Sequence, residues 1–171
     1  MPDAPAAVSA TSKTAVSHHC IDQIFREART HNVWFPHPVP SELLRQVYQL
    51  AAFGPTSANT TPARFVFLTT PQAKERLRPA LAPLNVDKTM AAPVTVIIAW
   101  DTEFYEKLPK LFPHKDMRAM FVGNPDLIEA TAFRQWFARG WLLHSCCPRS
   151  WPRLRSHVRI RRRQGQRRIL S

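Results

Sequence analysis

The chain lacks any apolar run near the ~20 residues that a bilayer-spanning helix needs. Its longest candidate, "APVTVIIAW" at 92–100, has the length of a strand. Cysteine is scarce. The three present, an odd number, argue against a disulfide framework and for a reducing, cytoplasmic setting. The opening "MPDAPAAVSATSKTAVSHH" carries an early acid and no apolar centre, unlike a secretory signal, so residues 1–20 are expected to form a disordered lead-in. Neither G-x-G-x-x-G nor G-x-x-x-x-G-K occurs, which excludes the two common glycine-rich phosphate loops.

One absence is local. A net charge of +12 suggests a polyanion partner until it is divided along the 171 residues. Residues 1–134 hold 14 Lys and Arg against 12 Asp and Glu, which is close to balance. Residues 135–171 hold 10 Arg, no Lys and no acid. The basic character therefore belongs to "QWFARGWLLHSCCPRSWPRLRSHVRIRRRQGQRRILS" alone.

What remains is the composition of a globular chain, 44% hydrophobic and long enough to bury a core. In "HHCIDQIFREART", Ile21, Ile24, Phe25 and Ala28 fall at helical spacing, and three prolines in "HNVWFPHPVP" then break the helix. Ser41 is the expected N-cap of "ELLRQVYQLAAF", where Leu43, Leu44, Val47, Leu50 and Ala51 make an apolar stripe ended by Gly54 and Pro55. "ARFVFLTT" reads as a buried strand, "TPQAKERLRPAL" as a helix opened by Thr70 and Pro71, and "MAAPVTVIIAWD" as a second strand. "DLIEATAFR" begins a further helix after Asn124 and Pro125. Alternating strands and helices point to α/β or α+β. After Arg134 no sustained period is visible.

Three polar clusters could carry chemistry. "GPTSANTTPARF" at 54–65 crowds Thr56, Ser57 and Asn59 beside amides freed by Pro55, which suits a phosphate or the imide edge of a flat heterocycle. The competing reading is a turn whose hydroxyls and amide satisfy their own backbone. "ARTHNVW" supplies Arg29 and His31, and Arg29 is either a phosphate partner or a solvated surface cation. "LNVDKTM" places Asn85 and Lys88 three apart, on one face of a helix. "HHC" at 18–20 and "HSCC" at 144–147 match no standard zinc-finger spacing, so no metal site is assigned.

Together "ARTH", "FGPTSANTTPARFVF", "KERLRPAL", "DKTMAAPVTVIIAWDTEFYEKLPKLFPH" and "EATAFR" resemble the flavin-dependent nitroreductase family, from about Ile21 to Arg134. The stretch from Trp100 to His114 is most like its malonic semialdehyde reductase subgroup, which acts in pyrimidine degradation. The resemblance implies an α+β, FMN-dependent nitroreductase-like fold that is C-terminally incomplete, and an FMN-binding domain over 21–134. It implies FMN contacts by Pro55, Thr56, Ser57 and Asn59, with Arg29 and His31 toward the flavin phosphate and ribityl chain, and Asn85 and Lys88 at the ring edge. Val33 stands where the family often has a further basic residue. Also implied are NADPH or NADH as hydride donor, ping-pong transfer to a small aldehyde, and a homodimer. No catalytic side chain, membrane partner or specific nucleic acid is assigned.

The resemblance stops at Arg134: the family's long core helix and its Gly-Pro-Met-Ser-Gly-Phe-Asp segment are not legible beyond that residue. A shifted reading frame accounts for this. "LRSHVRIR" at 154–161 has permitted codons that, read one nucleotide later, spell Cys-Gly-Pro-Met-Ser-Gly-Phe-Asp. Residues 135–171 are therefore expected to be out-of-frame translation, and the chain as written poorly folded or inactive. A basic nucleic-acid-binding module is the alternative for the same tail.

Ten arginines without one acid in residues 135–171 predict polyanion binding that ignores sequence. Anisotropy titrations with unrelated oligonucleotides should give similar affinities, each falling steeply as salt rises. A preference for one sequence that survives high salt would favour the binding-module reading instead.

Overall fold

The computed structural model describes residues 16–29 and 32–145, and the chain divides into two units, 1–30 and 31–171. In the first, helix α1 (His18–Ile21) is capped by the Ser17 hydroxyl, which accepts the Cys20 N–H at 3.2 Å. It widens into a π turn over Asp22–Arg26. The expected apolar stripe is not buried there: Ile24 and Phe25 are both exposed.

The second unit begins with an extended strap and α2 (Ser41–Ala52). Pro40, not Ser41, occupies the N-cap: its carbonyl accepts from Leu43 N and Leu44 N, and Ser41 becomes the first helical residue. The α2 stripe is narrower than its sequence suggests. Leu44, Val47 and Ala51 are buried, whereas Leu50 points outward. After a short 3₁₀ turn (Ser57–Asn59) come β1 (Ala63–Leu68), α3 (Pro71–Leu77), α4 (Val86–Ala91) and β2 (Thr95–Trp100). Thr70 caps α3 as expected, accepting from Ala73 N at 3.2 Å. Met90 and Ala91, read from sequence as strand, close α4 instead, and β2 starts beyond Pro93.

β1 and β2 pair antiparallel, from Ala63 opposite Trp100 to Leu68 opposite Thr95, which resolves the α/β alternative in favour of α+β. β1 has only this one partner strand among the described residues and is half-buried, not the buried strand expected. β2 is buried on both faces. Val94, Val96 and Ile98 meet Leu44, Val47 and Ala51 of α2, while Ile97 turns the other way to Leu68 and Leu77. Residue alternation along one strand thus serves two cores.

A third cluster joins Phe104 and Leu108 to Phe121 and Ala132. It packs α5 (Leu108–Leu111), with the 3₁₀ turn before it, against α6 (Pro125–Ser145). α6 corrects the expectation of structural logic ending at Arg134, because it runs 21 residues without a break. Trp136, Gly140 and Leu143, at spacings of four and three, face the core. Trp136 donates Nε1–H to Ile98 O at 2.8 Å and lies 5.1 Å from the Trp100 ring. A helix that packs into the core continues through Ser145. Its stripe escapes periodicity because Phe133, Phe137 and Trp141 add a second, outward aromatic row. Cys146, Cys147 and the arginine-rich stretch lie outside the described residues.

The same buried face carries Arg139, only 8% exposed. Its Nη1 donates to Ala51 O at 2.6 Å, its buried Nε has no partner, and it forms no ion pair among the described residues. Desolvation lowers its pKa from the ordinary arginine value. A buried charge without a counter-ion costs stability. Arg139→Met keeps the length and removes the charge, so urea unfolding should show a gain of about 1–3 kcal/mol. A loss of stability would mean that the Ala51 bond outweighs the desolvation.

Candidate functional site

The loop that leaves α2 is the most strained part of the described chain. Ala58, Asn59 and Thr61 have φ of 47°, 52° and 39°, all left-handed. Asn tolerates this region, but Ala and the β-branched Thr do so only at a cost of roughly 1–3 kcal/mol each. The backbone turns closing the loop are Asn59 N to Thr56 O at 3.2 Å and Thr60 N to Ser57 O at 3.0 Å.

Side chains do not satisfy this turn from within. None of Thr56, Ser57, Asn59 or Thr60 bonds a neighbouring backbone group through its side chain among the described residues. Thr56 Oγ1 and Thr60 Oγ1 are buried and find no partner. Asn59 Nδ2 reaches across 52 positions to Leu111 O at 3.0 Å. The self-capping turn that the sequence leaves open is therefore not the one that forms. Pro55 and Ser57 lie at the surface and Thr56 is half-buried. Thr60, absent from the residues that sequence reading singles out, is the most buried hydroxyl of the loop, and only burial distinguishes it from its neighbours.

The loop ends at Arg64 in β1. Its Nη1 donates to Thr61 O at 2.8 Å and to Ala63 O at 2.9 Å, and its Nη2 meets Asp101 Oδ2 at 2.6 Å. Lys107 Nζ stands 3.1 Å from the same oxygen, and Glu103 N donates to Oδ1 at 2.9 Å. Burial pushes the Asp101 carboxyl up. The Glu103 N–H, Lys107 and Arg64 outweigh it and hold the group below the usual carboxylate value. Beside this pair a cleft of about 210 Å³ is lined by Tyr48, Thr61, Arg64, Phe65 and Arg139.

Asn85 and Lys88 sit at the start of α4, both half-buried. Asn85 is the residue before the helix and makes no side-chain cap, so its amide is not consumed there. Two side chains hold the segment. Trp34 Nε1 donates to Lys88 O at 2.7 Å, and Lys74 Nζ donates to Met90 O at 2.8 Å and Ala92 O at 2.7 Å. Lys74 is buried, and desolvation lowers its pKa from the ordinary lysine value. No hydrogen bond among the described residues joins this segment to the 55–61 loop.

Arg29 belongs to the first unit, where its Nη1 donates to Arg26 O and Ala28 O, each at 2.9 Å. His31 lies outside the described residues. Among the described residues no group of three His, Cys, Asp or Glu could hold a metal ion, and no helix is long and apolar enough to cross a membrane.

The profile of the family described as "Nitroreductase family" matches residues 26–136, well over half of the chain. Among solved structures, the chain is similar to CLA-ER, an enone reductase of gut-bacterial fatty acid saturation metabolism. The TM-score is 0.66 and the identity 19%, over 77% of this chain and 71% of that one. A protein from Exiguobacterium sibiricum, assigned as a nitroreductase and solved in complex with FMN, matches with a TM-score of 0.67 and 17% identity. That match covers 80% and 71% of the two chains. A Staphylococcus epidermidis protein assigned as an NAD(P)H:FMN oxidoreductase matches with 0.64 and 14%, over 78% and 70%.

The Asp101 pair has a pH signature. Its folded pKa is depressed, so its contribution is fully present above the unfolded value of about 3.9 and is lost as pH falls through the folded value. Stability measured by urea should fall as pH drops below about 4. Asp101→Asn should flatten that part of the profile and cost about 1 kcal/mol at pH 7, given a pair that is partly exposed. An unchanged acid profile would remove Asp101 from the linkage.

Proposed function

The chain belongs to the nitroreductase family, and we propose that it works as an FMN-dependent oxidoreductase reducing malonic semialdehyde to 3-hydroxypropionate, with NADPH or NADH as hydride donor. The observation that carries the flavin reading is the 56–61 loop. It stores left-handed strain and buries two hydroxyls without partners, features that suit contacts to a bound group more than a self-contained turn. The residues present fit FMN. Thr56, Ser57 and the Asn59 side-chain oxygen offer neutral hydrogen-bonding groups for a heterocycle edge. Asn85 and Lys88 offer an amide and a cation where reduction places negative charge. Arg29, with His31 beside it in sequence, is assigned to the phosphate end.

FMN, when bound, supplies the hydride relay that no side chain can perform. The chain's own contribution is to bind, orient and polarise. Hydride added to the aldehyde carbon leaves an alkoxide, which would take its proton from water or from a hydroxyl of the site, so no dedicated side-chain acid is required. Malonic semialdehyde is favoured over other acceptors by the likeness of Trp100–His114 to that subgroup. A cytoplasmic homodimer is part of the same proposal. What supports the dimer is the family resemblance of residues 21–134.

We further propose that residues 135–171 are read out of frame. The charge division at position 134 and the buried Arg139, whose charge meets no acid among the described residues, support this. The gene's nucleotides around codon 135 test it directly.

The flavin assignment is tested by reconstituting the protein and titrating FMN through its fluorescence. Asn59→Ala and Arg29→Ala should each weaken FMN binding by about 1–3 kcal/mol, the worth of a hydrogen bond to a charged or polarised group. Affinity unchanged from the parent chain in both variants would remove these residues from the site. NADPH oxidation by flavin-loaded protein should depend on malonic semialdehyde. Oxidation indifferent to that aldehyde would sink the substrate while leaving the flavin reading standing.

A further inference from the structure

We infer that residues 101–111 are a brace that holds the strained loop in its binding shape, and that Arg64 is the positioning residue coupling brace to loop. The inference rests on the loop being the FMN-contacting loop proposed above. Three ties make it. The Asp101 N–H donates to Pro62 O at 2.9 Å, extending the strand pairing by one step into the loop. Arg64 bridges the Asp101 carboxylate at 2.6 Å and the Thr61 carbonyl at 2.8 Å, so a left-handed residue is held through its own backbone oxygen. At the other end of the segment, Leu111 O accepts the Asn59 side-chain N–H at 3.0 Å. Of the three left-handed residues, Asn59 is thus bonded to this stretch directly and Thr61 through Arg64.

A brace must itself be anchored, and this one is anchored in a core. Phe104 and Leu108 are 0% and 1% exposed and pack with Phe121 and Ala132. Asp101 is itself fixed by Glu103 N and Lys107. Arginine is the residue type this job needs, since its planar fork can serve a carbonyl on one nitrogen and a carboxylate on another. A lysine at 64 keeps the charge, but its single nitrogen would have to meet the carbonyl and the carboxylate from one point, without the fork's fixed geometry. Without the coupling, Ala58 and Thr61 would relax toward ordinary φ, and the hydroxyl and amide groups of Thr56–Thr60 would lose their common arrangement. Arg64 is argued to act through the loop and not on the reacting atoms.

The test is hydrogen–deuterium exchange on the full 171-residue chain without flavin, followed by FMN titration. In Arg64→Met, amides of 56–61 should exchange about tenfold faster or more, as expected for losing charge-assisted bonds, while those of 95–100 keep their protection. FMN affinity should fall by a similar factor, and Arg64→Lys should recover part of both. Asp101→Asn, nearly isosteric, is read the same way and decides the matter should Arg64→Met fail to fold. Unchanged exchange at 56–61, or an equal rise at 56–61 and 95–100, overturns the brace. Faster loop exchange in a protein that takes up no FMN at all sustains the brace and defeats the flavin reading. Normal FMN binding in both variants with an unmoved loop does the reverse.

Discussion

Both faces of β2 must be covered, and most of the described fold derives from that requirement. Six residues, Thr95–Trp100, have one strand partner, so the remaining burial comes from helices. Val96 and Ile98 take α2 and α6 on one side, and Ile97 takes α3 on the other. Each fully buried aliphatic side chain is worth about 1.5–3 kcal/mol, so a few such positions outweigh any exposed ion pair on the surface. The exposed Glu75–Arg78 and Glu106–Arg118 pairs are local fastenings by comparison. The strand also sets where the site can be. Its C-terminal end delivers Asp101 beside the start of β1, and the loop before β1 is the one under strain.

That placement joins packing to chemistry. A loop of hydroxyls and an amide has little reason to hold left-handed Ala and Thr unless its neighbours make the alternative worse. Here Phe104 and Leu108 anchor in a core the segment whose Leu111 carbonyl holds Asn59, and Arg64 ties Thr61 to a carboxylate of the same segment. The second polar segment is secured by different means. Trp34 and the buried Lys74 donate to the carbonyls of α4 itself, so Asn85 and Lys88 ride on a short helix whose far end is pinned. Both segments leave their functional groups largely uncommitted while their backbones are tied down, which is the condition for binding without large reorganisation.

Local signals in the sequence are legible where one residue decides the outcome. Thr70 with Pro71 announces a helix start, and apolar "TVIIAW" a buried strand. Ser41 misleads because Pro40 competes for the same cap and supplies its carbonyl regardless of side chain. The half-buried state of β1 is not legible, since burial of a strand depends on how many neighbours it has and not on its own residues. At the candidate site, the polar residues of 56–59 are visible as a cluster, but not their strain, nor the orphaned hydroxyl of Thr60. Those depend on Leu111 and Asp101, about 40–50 positions downstream. Arg64 is likewise invisible: nothing in "ARFVF" tells a bridging arginine from a solvated one.

α6 shows how a helix can hide from its own periodicity. Past Arg134 it carries apolar or aromatic residues on two faces, so no single stripe dominates the pattern, yet one face is buried. Trp136 fits that face because its one polar atom finds Ile98 O. Arg139 fits it only sterically. Its stem can pack and one nitrogen reaches Ala51 O, but the charge meets no acid among the described residues and Nε meets nothing. A segment can therefore fill a core in shape and remain mismatched to it in charge. Packing tolerates many apolar substitutes of about the right volume, whereas a buried cation requires a specific partner. Shape is thus the weaker test of whether residues beyond 134 belong to this core, and charge compensation is the stronger one.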